Sequence, residues 1–169
     1  LSLAPTLRTD PNVGDVWVEV DLIDLGDKAA LTTKRLRKTT SPLEFGYSHS
    51  VEIAHGSREQ ATLRGALDAA DEQESDVYFE LKTASRAGKE SSVGQGFLNL
   101  KALLNQGKDM VSVPVALQGV GGGPASAGTL TVSLVAIHAL RNSVAAKAAA
   151  AAIEPTGTKL TVEVGGLSL

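Results

Sequence analysis

Alternation with a period of two dominates the chain, the mark of strands with one buried face. Val16, Val18, Val20 and Leu22 face one way, with Glu19 and Asp21 opposite and Trp17 among them. Leu43, Phe45, Tyr47, His49, Val51 and Ile53 alternate with Glu44, Gly46, Ser48, Ser50 and Glu52. Val77, Phe79 and Leu81 form a third face, and Val111, Val113, Val115 and Leu117 a fourth. Leu130, Val132 and Leu134 alternate with Thr129, Thr131 and Ser133, and Leu160, Val162 and Val164 repeat the pattern near the end. Pro114 interrupts the fourth run. Proline donates no ladder hydrogen bond, so that strand is expected at an edge or a bulge.

One helix is expected among the strands. Ser57 followed by Gln60 makes a capping box, and Leu63, Leu67 and Ala70 then recur at helical spacing, with Gly65 weakening the pattern. A second helical stretch is expected from about Arg141 through Ala145–Ala152, ended by Glu154-Pro155-Thr156-Gly157. Alanine has high helix propensity but buries little surface, so this stretch reads as a connector. Gly119–Gly128 reads as a loop between strands. The predicted fold is all-β, an antiparallel sandwich with one inserted short helix and a C-terminal Ala-rich helical connector.

The 169 residues suffice for one domain with a real core. Only 4% are aromatic, so that core must be built mainly from Val and Leu. There is no cysteine, which excludes disulfides, thiolate metal sites and a cysteine nucleophile and is compatible with a cytosolic setting. A net charge of −3 gives no long-range pull toward nucleic acid or anionic lipid. No apolar run reaches the roughly 18–20 residues of a membrane-spanning helix.

The start, Leu1-Ser2-Leu3-Ala4-Pro5, has no initiator Met, basic segment or apolar segment, so it is not read as a signal peptide. The chain is expected to be a piece of a longer one. It closes on Leu167-Ser168-Leu169, and Leu-Ser-Leu also opens it. Residues 159–169 are either a last strand or the equivalent of an opening strand that the domain lacks. In the second case the strand comes from the chain's own C-terminus, as in a permuted fold, or from a neighbouring copy. The expected organisation is therefore a sandwich over 1–140, a connector over 141–158, and a strand over 159–169.

With that strand restored, the order of segments resembles a C2 domain. Leu160–Leu169 looks like the opening strand, and Asp15-Val16-Trp17-Val18-Glu19-Val20 like the signature that resembles Asp-Pro-Tyr-Val. Val77–Leu81, Val93-Gly94 and Gly128–Leu134 sit where later strands of that domain belong. Within the class, the chain is similar to the ciliary scaffold family of fantom and the retinitis pigmentosa GTPase regulator-interacting proteins. The residues carrying this are Val16–Leu25, Lys34–Lys38, Leu43-Glu44-Phe45, Gly96–Leu100 and Leu103–Asp109. The resemblance implies a non-enzymatic role in assembling the base of the cilium, at the transition zone or basal body, with other ciliary or centrosomal proteins as partners.

Calcium-binding C2 domains gather carboxylates from two loops, because Ca²⁺ takes six to eight oxygen ligands. Asp10 and Asp15 fall where two ligands of such a domain would lie. The second loop should carry aspartates at about Thr83, Ser85 and Ser92, but all three are hydroxyls, and Arg86 and Lys89 add positive charge. Calcium binding is not expected. The acidic run Asp68, Asp71, Glu72, Glu74 and Asp76 reads as a solvated helix end. His49, on the apolar side of a strand, His55, and His138, near a strand end, show no metal-ligand spacing. Neither Gly119–Gly123 nor Gly94-Gln95-Gly96 has the Lys-Ser/Thr ending of a phosphate loop, and no Gly-x-Ser-x-Gly elbow exists. No catalytic residue, metal or cofactor is expected.

The basic segment Lys34, Arg35, Arg37 and Lys38 is the candidate interaction patch, with Trp17 beside it. One reading is a charged edge strand that blunts aggregation. The other is a patch for an acidic partner or for anionic lipid, the lipid version being weaker given the overall charge. Trp17 either anchors a partner or fills the sandwich. The favoured function is a calcium-independent, non-catalytic protein-interaction module; the alternative is a peripheral phospholipid-binding domain that uses the basic strand.

Overall fold

The computed structural model describes residues 1–27, 29–40, 42–122, 124–148 and 158–165. Among them run β1 (Ser2–Leu3), β2 (Asp15–Asp21), β3 (Leu36–Arg37), β4 (Tyr47–Ile53), β5 (Asp76–Ala84), β6 (Glu90–Asn99), β7 (Met110–Gly119), β8 (Ser126–Val135) and β9 (Thr158–Val164). Every pairing is antiparallel, in the order β3-β2-β5-β6-β7-β8-β9-β4, with β1 on β8. The β6–β7 ladder consists only of Gly94↔Gly119 and Gln95↔Gln118, so the sheet turns its corner there. The halves β3-β2-β5-β6 and β7-β8-β9-β4 face each other as the two layers of a C2-type sandwich. Gly94 permits the corner: a Cβ there would lie 2.4 Å from that of Ala127.

The periodicity explains the core. Val16, Val18 and Val20 of β2 and Val77, Phe79 and Leu81 of β5 point inward, against Leu130, Val132 and Leu134 of β8 and Leu160, Val162 and Val164 of β9. With few aromatics, β-branched residues and leucines fill the space, as the composition requires.

Two runs depart from the alternation. The run beginning at Leu43 becomes a strand only from Tyr47, because Gly46 takes φ +55° and turns the chain; Leu43 and Phe45 are nonetheless buried. In β7 the register shifts between Met110 and Val113, with Ser112 at φ +51°, and this turns Val111 outward to 66% exposure. Pro114, just past the bulge, pairs with β8, while its other side lies beyond the short β6 ladder.

The helices are α1 (Pro5–Thr9), α2 (Arg58–Asp68), α3 (Leu100–Gln106) and α4 (Ile137–Ala148), with a 3-10 turn at Glu72–Ser75. The sequence points to α2, whose Ser57 accepts a hydrogen bond from the Gln60 amide at 3.1 Å while the Gln60 side chain accepts one from Gly56 at 2.8 Å. It did not point to α1 or α3. Asn99 caps α3, and Gly107 ends it in the left-handed conformation. Helix α4 begins four residues before Arg141, where Asp109 accepts hydrogen bonds from the Ala136 and Ile137 amides at 2.7 and 2.9 Å. Its buried Ile137, Ala139, Leu140 and Ser143 pack the first turns inward. The remainder of the Ala-rich run, the turn Glu154–Gly157, Gly123 of the glycine loop and Gly166–Leu169 lie outside the described residues.

Strand β9 pairs within its own chain: Val162 faces His49 on β4 and Leu134 on β8. Along the same edge of β8, the Gly165 amide donates to the Thr131 carbonyl, and β1 follows with Ser2↔Thr129. Both segments are antiparallel to β8, so β9 and β1 succeed one another in direction. The Leu1 nitrogen donates to the Leu43 carbonyl there at 2.9 Å.

Candidate interaction surface

On β2, Trp17 and Glu19 alternate with the core valines and so occupy the outer face of the sheet. Trp17 is only 1% exposed, yet it lies outside the core cluster. Its cover is the Arg35 guanidinium, 3.9 Å from the ring centroid. Its indole N–H donates to Glu19 at 3.2 Å. Trp17 therefore neither fills the sandwich nor stands free as an anchor; a basic side chain seals it.

The basic segment divides in two. Arg35 lies on Trp17 and pairs with Glu90, and the Lys38 ammonium donates to the Asp10 carbonyl. The side chains of Lys34 and Arg37 are exposed and engage in no hydrogen bond or ion pair among the described residues. Only Leu36–Arg37 pairs as a strand, against Asp15 and Val16.

Beside Trp17, Lys82 bridges Glu19 at 2.6 Å and Glu80 at 3.6 Å. Burial alone would raise the Glu19 carboxyl, but Lys82, the Trp17 indole and Arg35 outweigh it and hold the group below the usual carboxylate range. The Glu19 carboxylate in turn raises Lys82 against the opposing pull of burial. This end of the face is internally neutralised.

The loops that would hold calcium are tied by local hydrogen bonds. The Thr83 hydroxyl donates to the Asp15 carbonyl at 2.9 Å and accepts from the Gly14 amide at 3.1 Å. The Asp10 carboxylate accepts from the Asn12 amide at 2.8 Å, the Ser85 hydroxyl from the Lys89 amide at 3.3 Å, and Ser92 donates to Glu80. Among the described residues, no three of His, Cys, Asp and Glu are grouped to hold a metal ion. The histidines lie apart: His49 on β4 stacks on Tyr47 with ring centroids 6.5 Å apart, His55 is exposed, and His138 is exposed in the first turn of α4 rather than at a strand end.

Sequence reasoning missed the other end of the outer face. The pairing Asp21↔Tyr78↔Phe97 sets an acid and two aromatics in one row across β2, β5 and β6. The Tyr78 and Phe97 rings lie 5.9 Å apart, and Phe97 is 53% exposed. Alternation in β5 and β6 carried this signal; the pairing that unites it was not legible.

The family described as Retinitis pigmentosa G-protein regulator interacting C-terminal matches residues 1–146. The chain belongs to that family. The match spans β1 to β8 and most of α4, so this member presents its family fold as the sandwich described above. A comparison with curated proteins finds no match.

Proposed function

We propose that this chain is a calcium-independent, non-catalytic protein-interaction domain of a ciliary scaffold, acting at the transition zone or basal body. The single observation carrying the proposal is membership, over residues 1–146, of a family described as interacting with the retinitis pigmentosa G-protein regulator. A regulator of that kind is the proposed partner. The Thr83 tie between the calcium-loop positions and the positive Arg86 and Lys89 support independence from calcium.

The phospholipid alternative loses ground on magnitude. Arg35 and Lys38 are engaged locally, which leaves Lys34 and Arg37. Two cations near an anionic surface contribute about 2 kcal/mol, short of stable docking. These two residues remain as the free part of the proposed patch, able to meet an acidic protein surface.

The test is calorimetric titration of the purified chain with a purified regulator, alongside co-sedimentation with acidic and neutral vesicles, each with calcium and with chelator. Saturable regulator binding, equal with and without calcium, and no vesicle binding is the expected result. Vesicle binding without regulator binding would replace the proposal with the lipid reading. Calcium-dependent binding would overturn the reading of the loops.

A further inference from the structure

The outer face of β2, β5 and β6 carries a groove that none of the described residues covers. A cavity of about 470 Å³ opens beside Glu19, Asp21, Asp24, Tyr78 and Glu80, with Leu25 and Leu31 in its wall. A second, of about 340 Å³, continues it past Tyr78, Gln95, Phe97, Pro114 and Ala116. A third, of about 240 Å³, lies on the other side of Tyr78, among Asp21, Asp24, Asp71 and Glu74. Tyr78 lines all three cavities.

The groove has an apolar floor, and the charged side chains that line it, among the described residues, are all acidic. Phe97 is half exposed on a sheet whose other large apolar residues are mostly buried, and exposed aromatic pairs at the centre of a patch are the usual anchors of protein contacts. The side chains of Asp21, Asp24 and Glu74 have no hydrogen bond or ion pair among the described residues. Lys82, on the same strand as Tyr78 and Glu80, is already shared between Glu19 and Glu80. Burial, and then the carboxylates of Asp76, Asp71 and Asp21, push the Tyr78 phenol up, so the negative field reaches the ring. The carboxylates are spread along the groove rather than gathered on a point, and no metal-holding group forms among the described residues. Nucleic acid and anionic lipid would be repelled.

We propose that this groove docks a segment of a partner protein rich in arginine or lysine. The occupant follows from complementarity. Guanidinium planes and ammonium groups are attracted to aromatic faces, the aliphatic stems of the same side chains suit the apolar floor, and their charges meet the unpaired rim. The inference deepens the interaction reading above by naming the face and the chemistry of the partner.

The test uses the whole chain, isotopically labelled, titrated with a short synthetic peptide alternating arginine and leucine, and with a glutamate-for-arginine control. Amide shifts confined to Asp21, Tyr78, Gln95 and Phe97 are expected, with affinity falling about tenfold in the Phe97→Ser/Asp21→Asn variant. Both substituted side chains reach the surface, and an unchanged urea midpoint verifies that the variant is folded. Absence of peptide binding up to about 1 mM overturns the proposal. So do shifts mapping to Lys34–Lys38 or α2, undiminished affinity in the variant, or concentration-dependent pairing of two copies through this face. If the regulator binds wild type and variant equally, the groove is wrong and the interaction role stands. If the regulator does not bind wild type, that role fails while the peptide still decides the groove.

Discussion

Removing the cover from Trp17 gives a clean perturbation, because the chain has one tryptophan and its fluorescence reports on one site. In Arg35→Ala the guanidinium 3.9 Å from the ring centroid is lost. A cation–π contact in a partly desolvated place contributes about 1 kcal/mol. The ion pair with Glu90 adds little, since both side chains are 51% exposed and solvent screens them. Re-exposing one indole face, roughly 50 Å² at 25 cal/mol per Å², is worth about 1 kcal/mol and partly overlaps the first figure. The sum is about 1.5 kcal/mol, or a drop in Tm of ~3–6 °C for a chain of this size. Emission should move to longer wavelength, and acrylamide quenching should rise. Arg35→Met keeps an apolar lid and should preserve the short-wavelength emission. Arg35→Lys should fall between the two, because an ammonium cannot stack as a plane. Unchanged emission and quenching in Arg35→Ala, with Tm unmoved, would refute the capped-tryptophan account.

Asp109→Ala should lower stability by about 1–2 kcal/mol through loss of its cap on α4, and Asp109→Asn by less; urea unfolding measures both. Ser50 and Thr161 face each other across β4 and β9 with their oxygens 2.8 Å apart. Ser50→Cys and Thr161→Cys in one chain should form an internal disulfide, whereas a mixture of the two single variants should give a disulfide-linked dimer only if β9 is exchanged between copies, as gel mobility will show. Millimolar calcium should leave Tm unchanged in differential scanning calorimetry, because a ligand must bind the native state to stabilise it.

The layers of the sandwich were legible because a period of two is a direct consequence of strand geometry: β2, β5, β8 and β9 bury the residues whose spacing marks them. Errors arose where a single residue resets the phase. Ser112 at φ +51° and Gly46 at φ +55° each end an alternation that continues in the sequence. Helix α3 was overlooked inside the apolar stretch Phe97–Leu104, although Asn99 before it and Gly107 after it are ordinary boundary signals. The acidic groove was out of reach for another reason. Asp21–Asp24 and Asp71–Asp76 are some fifty residues apart, and only the pairing of Asp21 with Tyr78 brings them to one place.

The same reasoning explains how the basic segment changed in meaning. On the sequence, Lys34, Arg35, Arg37 and Lys38 are four equivalent cations, a patch for an acidic partner or, less well given the overall charge, for anionic lipid. In the fold, Arg35 is spent on Trp17 and Glu90, and Lys38 on the Asp10 carbonyl, so their charges fix β3 and the Asp10 loop against β2. Thr83 joins the Gly14–Asp15 turn to β5 with two neutral hydrogen bonds. This end of the sandwich is thereby tied by local contacts, while at the far end of the outer face the unpaired side chains of Asp21, Asp24 and Glu74 are negative. On the docking proposal, such a surface would discriminate by the sign and shape of a partner's side chains, which suits a protein-binding face better than a lipid-binding one.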